Sequence, residues 1–188
     1  EPKRDLYLEV RLIATTGGAD CLFIPIEKEE LGDVLDQIVQ EADTRKQNVY
    51  VGVALRNSNE SGKTSNCSLL NTFVVDYDEV KGVKIKDMAG VNQRQEAKGM
   101  LLAAIRGLTD FPPTMIVDSG NGFHAYFVLR TPVQVQENIN PIKRRSRWLG
   151  RQLAEYPGDP AMLNVAQPIR LPGSYNFKNP EVPRLCQI

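Results

Sequence analysis

An apolar run that ends in two carboxylates one residue apart constrains this chain more than any other feature. Asn71-Thr72-Phe73-Val74-Val75-Asp76-Tyr77-Asp78 has the β-branched and aromatic content of a strand. Side chains alternate between the faces of a strand, so Asp76 and Asp78 share one face and Tyr77 takes the other. Two like charges side by side need a neutralising partner or open water. Two readings follow: a divalent-cation site, because hard cations take carboxylate oxygens, or a strand that runs into a solvated acidic turn.

The length of 188 residues fits one domain, or one with a small lobe, and can bury a real core. The 23 basic and 23 acidic residues balance. The net charge therefore gives no global pull toward nucleic acid or membrane, and any polyanion site must be local. Cys21, Cys67 and Cys186 lie far apart with no CxxC pair, which indicates neither a zinc knuckle nor a disulfide framework and favours a reducing, cytoplasmic setting. No apolar run is long enough to span a bilayer, so no membrane partner is expected. The opening Glu1-Pro2-Lys3-Arg4-Asp5 is no signal peptide. The missing initiator Met and the Pro-rich end suggest a catalytic core taken from a longer protein.

Leu6–Ile13 and Cys21–Ile24 flank Thr15-Thr16-Gly17-Gly18 and predict a hairpin. Leu31, Val34, Leu35, Ile38 and Val39 follow helical spacing behind an acidic start at Glu29 and Glu30. Asn48–Arg56 predicts a central strand buried on both faces. The polar loop 57–68 holds Gly62-Lys63-Thr64, but Asn57 stands where a P-loop needs glycine and a strand follows where it needs a helix. A connection or small hairpin is expected over 79–92. A second helix carries Ala97, Leu101, Ala104, Ile105 and Leu108 and is expected to stop at Pro112-Pro113. Strands at Met115–Asp118 and Ala125–Leu129 flank the turn Ser119-Gly120-Asn121-Gly122-Phe123-His124. A third helix is predicted from about Gln136 to Tyr156, with Ile142, Leu149, Leu153 and Tyr156 on its apolar face. This order of elements predicts an α+β fold with helices on a largely antiparallel sheet.

Beside the third helix's apolar face, Lys143, Arg144, Arg145, Arg147 and Arg151 form the densest basic patch. It is either a solvated face or a track for a phosphate backbone. His124 is the only histidine. Ser119, Gly120, Gly122 and His124 suit a cradle for phosphate oxygens, although hairpin chemistry explains the glycines equally well. Arg170 and Lys178, on a Pro/Gly-punctuated stretch, suit a triphosphate or ordinary solvated surface. By spacing alone, Asp159 in Gly158-Asp159-Pro160 is a turn or helix-cap residue. Two carboxylates on one strand face, a Ser/His turn and a late basic pair are the parts of two-metal phosphoryl or nucleotidyl transfer.

In this order the motifs resemble the archaeo-eukaryotic primase superfamily: Val74-Val75-Asp76-Tyr77-Asp78, Ser119 to His124, then Asp159 and Arg170-Leu171-Pro172-Gly173-Ser174-Tyr175-Asn176-Phe177-Lys178. Within it the chain looks most like the bacterial, plasmid and phage primase-polymerases, including CRISPR-associated ones, and the resemblance runs from the Asn48 strand to Lys178. It implies an RRM-like catalytic antiparallel sheet over 69–178, with a packed N-terminal α/β lobe mainly over 1–56. It also implies that Asp76, Asp78 and Asp159 are catalytic and hold two Mg²⁺ or Mn²⁺ ions. Ser119, Gly120, Gly122, His124, Arg170, Asn176 and Lys178 become nucleotide contacts, with Arg56 added by its place after the Tyr50 strand.

The activity expected from the resemblance is DNA primase and polymerase, using dNTPs or NTPs on a single-stranded DNA template and primer. Lys143, Arg144, Arg147 and Arg151 would then contact nucleic acid. This chain has no zinc cluster, so any zinc, helicase or CRISPR-adaptation module would lie outside it, and templated extension is better supported than priming. The competing expectation is a nucleic-acid-binding replication module without catalysis. A rolling-circle nickase is disfavoured, because that chemistry needs clustered histidines.

Overall fold

The computed structural model describes residues 5–27 and 29–188, so residues 1–4, and with them most of the opening stretch tested for a leader, lie outside the described residues. The predicted first hairpin is present as β1 (Tyr7–Ala14) and β2 (Ala19–Pro25), paired antiparallel from Tyr7↔Pro25 to Ile13↔Ala19. Helix α1 (Leu31–Thr44) follows. Its Leu31, Val34, Leu35 and Ile38 pack on Val10, Leu12, Ile24 and Val49.

The expected strand over Asn48–Arg56 is interrupted. It forms β3 (Gln47–Gly52) and β4 (Ala54–Arg56), divided at Val53. Both pair antiparallel with β1, through Val10↔Val51 and Tyr7↔Arg56. Since β2 occupies one edge of β1, β3 and β4 must share the other. Their own outer edges then take different partners: β10 (Pro168–Arg170) pairs with β3, and β5 (Cys67–Tyr77) pairs with β4. The sheet therefore forks. One branch continues from β5 to β9 (Phe123–Gln134) and β8 (Met115–Asp118), antiparallel throughout. Tyr50, only partly buried, shows that this central strand is not covered on both faces.

A buried ion pair holds the fork. Glu9 of β1 accepts from Arg56 Nε at 2.8 Å and from Arg11 Nε at 2.5 Å. Arg56 also reaches Cys67 Sγ at the start of β5 and donates to Ala166 O, at 3.4 Å, just before β10. Both charged side chains are fully buried. Burial raises the Glu9 pKa, but Arg11 and Arg56 outweigh it and hold the carboxyl below its usual range. Gly62 is closed against this pair, since a Cβ there would overlap Glu9 Oε1; this is the structural role of the glycine in the P-loop-like Gly62-Lys63-Thr64.

A two-stranded hairpin, β6 (Glu79–Val80) and β7 (Val83–Lys84), fills part of the predicted connection, turning on Lys81 and Gly82 at φ of 50° and 81°. Helix α2 (Val91–Arg106) ends at Gly107, well before the prolines expected to stop it. Helix α3 (Val135–Gly150) contains Pro141, with non-helical geometry at Asn138, and stops at Gly150 rather than continuing to Tyr156. The short hairpin β11 (Tyr175–Asn176) and β12 (Arg184–Leu185) closes the chain.

In each branch, helices cover one face and leave the other free. Helix α1 covers Val10 and Leu12, while Arg11 and Ile13 point to the opposite side. The larger core joins Phe73, Val75 and Tyr77 to Leu101 and Ile105 of α2 and Ile142 and Leu149 of α3, while Asp76 points away. Replacing Glu9 by Leu leaves Arg56 buried without its counter-charge. Urea denaturation should show a loss of about 3–5 kcal/mol, and a loss below about 1 kcal/mol would mean that the pair is incidental.

Candidate active site

The free faces of the two branches meet in a cavity of about 370 Å³. Asp76, Asp78, Ser119, His124, Asp159, Arg170, Asn176 and Lys178 all line it, together with Arg11 and Tyr50, which the sequence had not singled out. Residues far apart in the chain meet here because of strand register. Asp76 of β5 pairs with His124 of β9, and Arg170 of β10 pairs with Tyr50 of β3. Tyr77, one residue from Asp76, is fully buried on the other face, with its hydroxyl 3.4 Å from Leu149 O.

The third carboxylate is brought in by backbone. Asp159 N–H donates to Asp76 O at 2.8 Å. Gly158 permits the approach, since a Cβ there would overlap Val75 Cγ1. Asp159 does cap a short 3₁₀ turn, Pro160–Leu163, because its Oδ1 accepts from Ala161 N–H at 2.8 Å. Its other oxygen, Oδ2, lies 3.8 Å from Lys84 Nζ. The cap bond and the approach of Lys84 thus fall to different oxygens of one carboxylate.

Lys84 is a further residue that the sequence reading missed. Its Nζ is 2.5 Å from Asp78 Oδ1, so one ammonium faces two of the three carboxylates. The available signal was the Lys81-Gly82 turn, which folds β7 back on β6 and sets Lys84 opposite Glu79.

Asp76 is held differently. Burial, with repulsion from Asp78 and Asp159 added, pushes its pKa up to about 7. Its Oδ1 is buried without a hydrogen-bond partner, a condition that costs about 1–3 kcal/mol. His124 Nε2 lies 3.7 Å away. Burial, then Arg170 and Lys178, depress His124 to about 3, so the ring is neutral at neutral pH and does not ion-pair with Asp76.

Among the described residues, no group of three or more His, Cys, Asp or Glu is gathered tightly enough to hold a metal as it stands. The donor chemistry nevertheless fits a hard divalent ion. All three candidate ligands are carboxylates, one oxygen is buried without a partner, and a cation already sits between the other two groups.

Arg170 is a buried guanidinium with neutral partners: Asn48 Oδ1 and the Tyr50 hydroxyl, each at 2.8 Å, and the Tyr50 ring 4.7 Å beneath it. Burial lowers its pKa. A buried cation without a carboxylate partner suits an incoming anion. Asn176 ties the Ser119 turn to the tail, donating to Ser119 O at 2.8 Å and accepting from Lys178 N–H at 3.1 Å.

The two turn glycines do not line the cavity. Gly120, at φ +94°, gives its N–H to Asp118 Oδ1 at 2.8 Å, and Lys98 holds that carboxylate in turn. Gly122 backs onto the β5 terminus, where a Cβ would overlap Tyr77 O and lie 2.8 Å from Asp78 Cα. Its smallness therefore lets the Ser/His turn press against the Asp pair. Arg56 also lies away from the cavity, fully buried in its pair with Glu9. Lys143, Arg144, Arg147 and Arg151 are exposed along and just beyond α3 and do not line the cavity.

No protein-family model and no curated protein matches the sequence. Among solved structures, the chain is similar to the AEP domain of the primase-polymerase of cyanophage S-2L. The TM-score is 0.56 with 19% identity, covering 95% of this chain and 79% of that one. It is also similar to the polymerase domain of ligase D from Mycobacterium tuberculosis in complex with DNA. There the TM-score is 0.50 with 16% identity, covering 96% and 74%. These likenesses show the fold: an α+β domain with an antiparallel sheet of the primase-polymerase type. All three cysteines are unpaired, and among the described residues no helix is long and apolar enough to cross a membrane.

The two shifted groups act on stability with opposite signs. Folded Asp76 keeps a proton that the unfolded chain releases near 3.8, so without divalent ions stability falls as pH rises from there to about 7. Folded His124 refuses a proton that the unfolded chain takes up near 6.5, so stability falls as pH drops from there toward about 3. In EDTA at about pH 8, Asp76→Asn should be more stable than the parent by roughly 1–3 kcal/mol, with a flatter thermal-melting profile on the alkaline side. Identical profiles would mean that Asp76 is ionised at no cost.

Proposed function

We propose that this chain is a metal-dependent nucleotidyltransferase of the archaeo-eukaryotic primase superfamily, a DNA primase-polymerase core that extends 3′-hydroxyl ends and lays down primers on single-stranded DNA. The observation that carries the reading is the Asp76↔His124 register, which sets the carboxylates and the Ser119–His124 turn side by side in one cavity, as phosphoryl transfer would need. The likeness in fold to the AEP domain of a primase-polymerase supports it. On this reading β5, β9 and β8 with their helices form the RRM-like catalytic sheet, and the α1-covered strands form the N-terminal lobe.

Asp76, Asp78 and Asp159 would hold two Mg²⁺ or Mn²⁺ ions, in competition with Lys84 for Asp78. When bound, such ions neutralise the triphosphate and make the attacking hydroxyl more acidic. The chain's own groups do the rest. Arg170 offers guanidinium N–H groups to phosphate oxygens from a fixed position over Tyr50. Neutral His124 can give one N–H to a phosphate oxygen without adding charge, and the Ser119 hydroxyl can give another. Lys178, exposed at the cavity mouth, balances charge on the departing pyrophosphate.

One observation favours the non-catalytic alternative: Lys84 already satisfies Asp78 and approaches Asp159. A stable ammonium–carboxylate pair there would leave a binding module that needs no metal.

Primer extension and primer synthesis on single-stranded DNA separate the two, with dNTPs and NTPs supplied separately in Mg²⁺ and in Mn²⁺. Asp76→Ala, Asp78→Ala and Asp159→Ala should each cut incorporation by at least about 10³-fold, as loss of an electrostatic anchor does, while template binding persists. Full activity in folded Asp76→Ala would sink the catalytic reading. The exposed stripe gives a separate expectation. Reversing charge at Lys143, Arg147 and Arg151 should weaken template binding and lower the salt slope by roughly 0.7 for each phosphate that is no longer neutralised. An unchanged slope would make the stripe a solvated face.

A further inference from the structure

Asn121, Asn176 and Lys178 form a shared wall. On one side is the carboxylate cavity, and on the other a second cavity of about 220 Å³. Lys86, Arg94, Lys178 and Arg184 line this second cavity, and among the described residues no carboxylate does. The hydrogen-bond partners of its two arginines are neutral. Arg94 donates to Met88 O at 2.8 Å, and Arg184 donates to Gly120 O at 2.7 Å and Asn121 Oδ1 at 3.1 Å. Arg94 Nε is buried with no partner. The space continues into a third cavity of about 310 Å³ that shares Arg94 and Arg184. There Lys98 is neutralised by Asp118 at 2.6 Å, so the excess positive charge again comes from the two arginines. In a chain whose charges balance, four cations gathered without an acid are a local anion site.

We propose that this trough is a second phosphate site, holding the phosphodiester backbone of a single nucleic-acid strand as it runs away from the reaction centre. Its length and its walls select a strand over a free pyrophosphate. Pyrophosphate would occupy the first cavity alone, whereas the trough runs through two. Exposed Val91, Val182 and Leu185 line it and give sugar and base faces an apolar contact that a bare polyphosphate cannot use. The cations come from separate elements, Lys86 from the turn before α2, Arg94 from α2 itself and Arg184 from β12, so successive phosphates would meet charge from different parts of the fold. The identity of the strand as template or primer rests on the nucleotidyl-transfer reading; the binding itself does not.

The test is fluorescence anisotropy of a labelled oligothymidylate of about 20 nucleotides, in EDTA without nucleotide, across a salt series. Lys86→Glu and Arg94→Gln should each raise Kd at least about 5-fold and lower the slope of log K against log salt by roughly 0.7 or more. Arg94→Gln also removes the bond to Met88 O, so exposed Lys86→Glu is the deciding variant, with its fold checked by circular dichroism. Unchanged Kd and slope in folded Lys86→Glu overturn the proposal. It is also overturned if Lys86→Glu weakens inorganic pyrophosphate binding by calorimetry while oligonucleotide binding stays constant. If the parent protein incorporates no nucleotide but Lys86→Glu still loses the oligonucleotide, the strand site stands and the catalytic reading falls.

Discussion

The Glu9–Arg56 pair is the constraint on which the rest of the structure depends. Two fully buried opposite charges are costly to desolvate and are tolerated only when every remaining hydrogen-bonding position is filled. Here that requirement fixes four segments at once. Glu9 lies on β1 and Arg56 on β4, and the guanidinium also reaches Cys67 of β5 and Ala166 before β10. These are the strands between which the sheet divides. The candidate active site lies between the free faces of the two branches that these segments begin.

The site carries a second electrostatic tension, left unresolved where the first is resolved. Three carboxylates share a cavity with one ammonium between two of them, and Asp76 is raised toward neutrality because burial and its neighbours oppose its charge. Across the cavity, Arg170 is buried with neutral partners. Opposite charges are thus present but held apart, by pairs of strands whose register is set elsewhere. A ligand that carries both cations and phosphates would satisfy both sides together.

Local pattern was enough to find the first hairpin, α1, β5, the β8–β9 turn and the alternation that hides Tyr77 and presents Asp76. It misjudged the ends of helices. Helix α2 stops at Gly107 because its last carbonyls are satisfied there, not at the distant prolines. Helix α3 tolerates Pro141 by giving up regular geometry at Asn138, and ends before Leu153 and Tyr156, which still pack on the core from a turn. Residue chemistry also misled at Arg56, since a basic residue after a strand can face a ligand or lock a core. Only the burial of Glu9 opposite it decides between them. The glycines of the Ser/His turn carried a signal of real importance with a different cause: close approach of Gly122 to the Asp78 backbone, and an αL turn at Gly120 held by Asp118.

The sequence by itself determined that Asp76 and Asp78 would stand on one face of a strand with Tyr77 on the other, because that follows from residue type and a period of two. It also determined that any polyanion site must be local, because the charges balance. Only the tertiary structure decided which residues meet in the site. The Asp76↔His124 register, the Asp159 amide on the Asp76 carbonyl, the withdrawal of Arg56 and the arrival of Lys84 all come from pairings across long stretches of chain. Such pairings are set by how whole strands pack and fork, and no spacing along the chain encodes them.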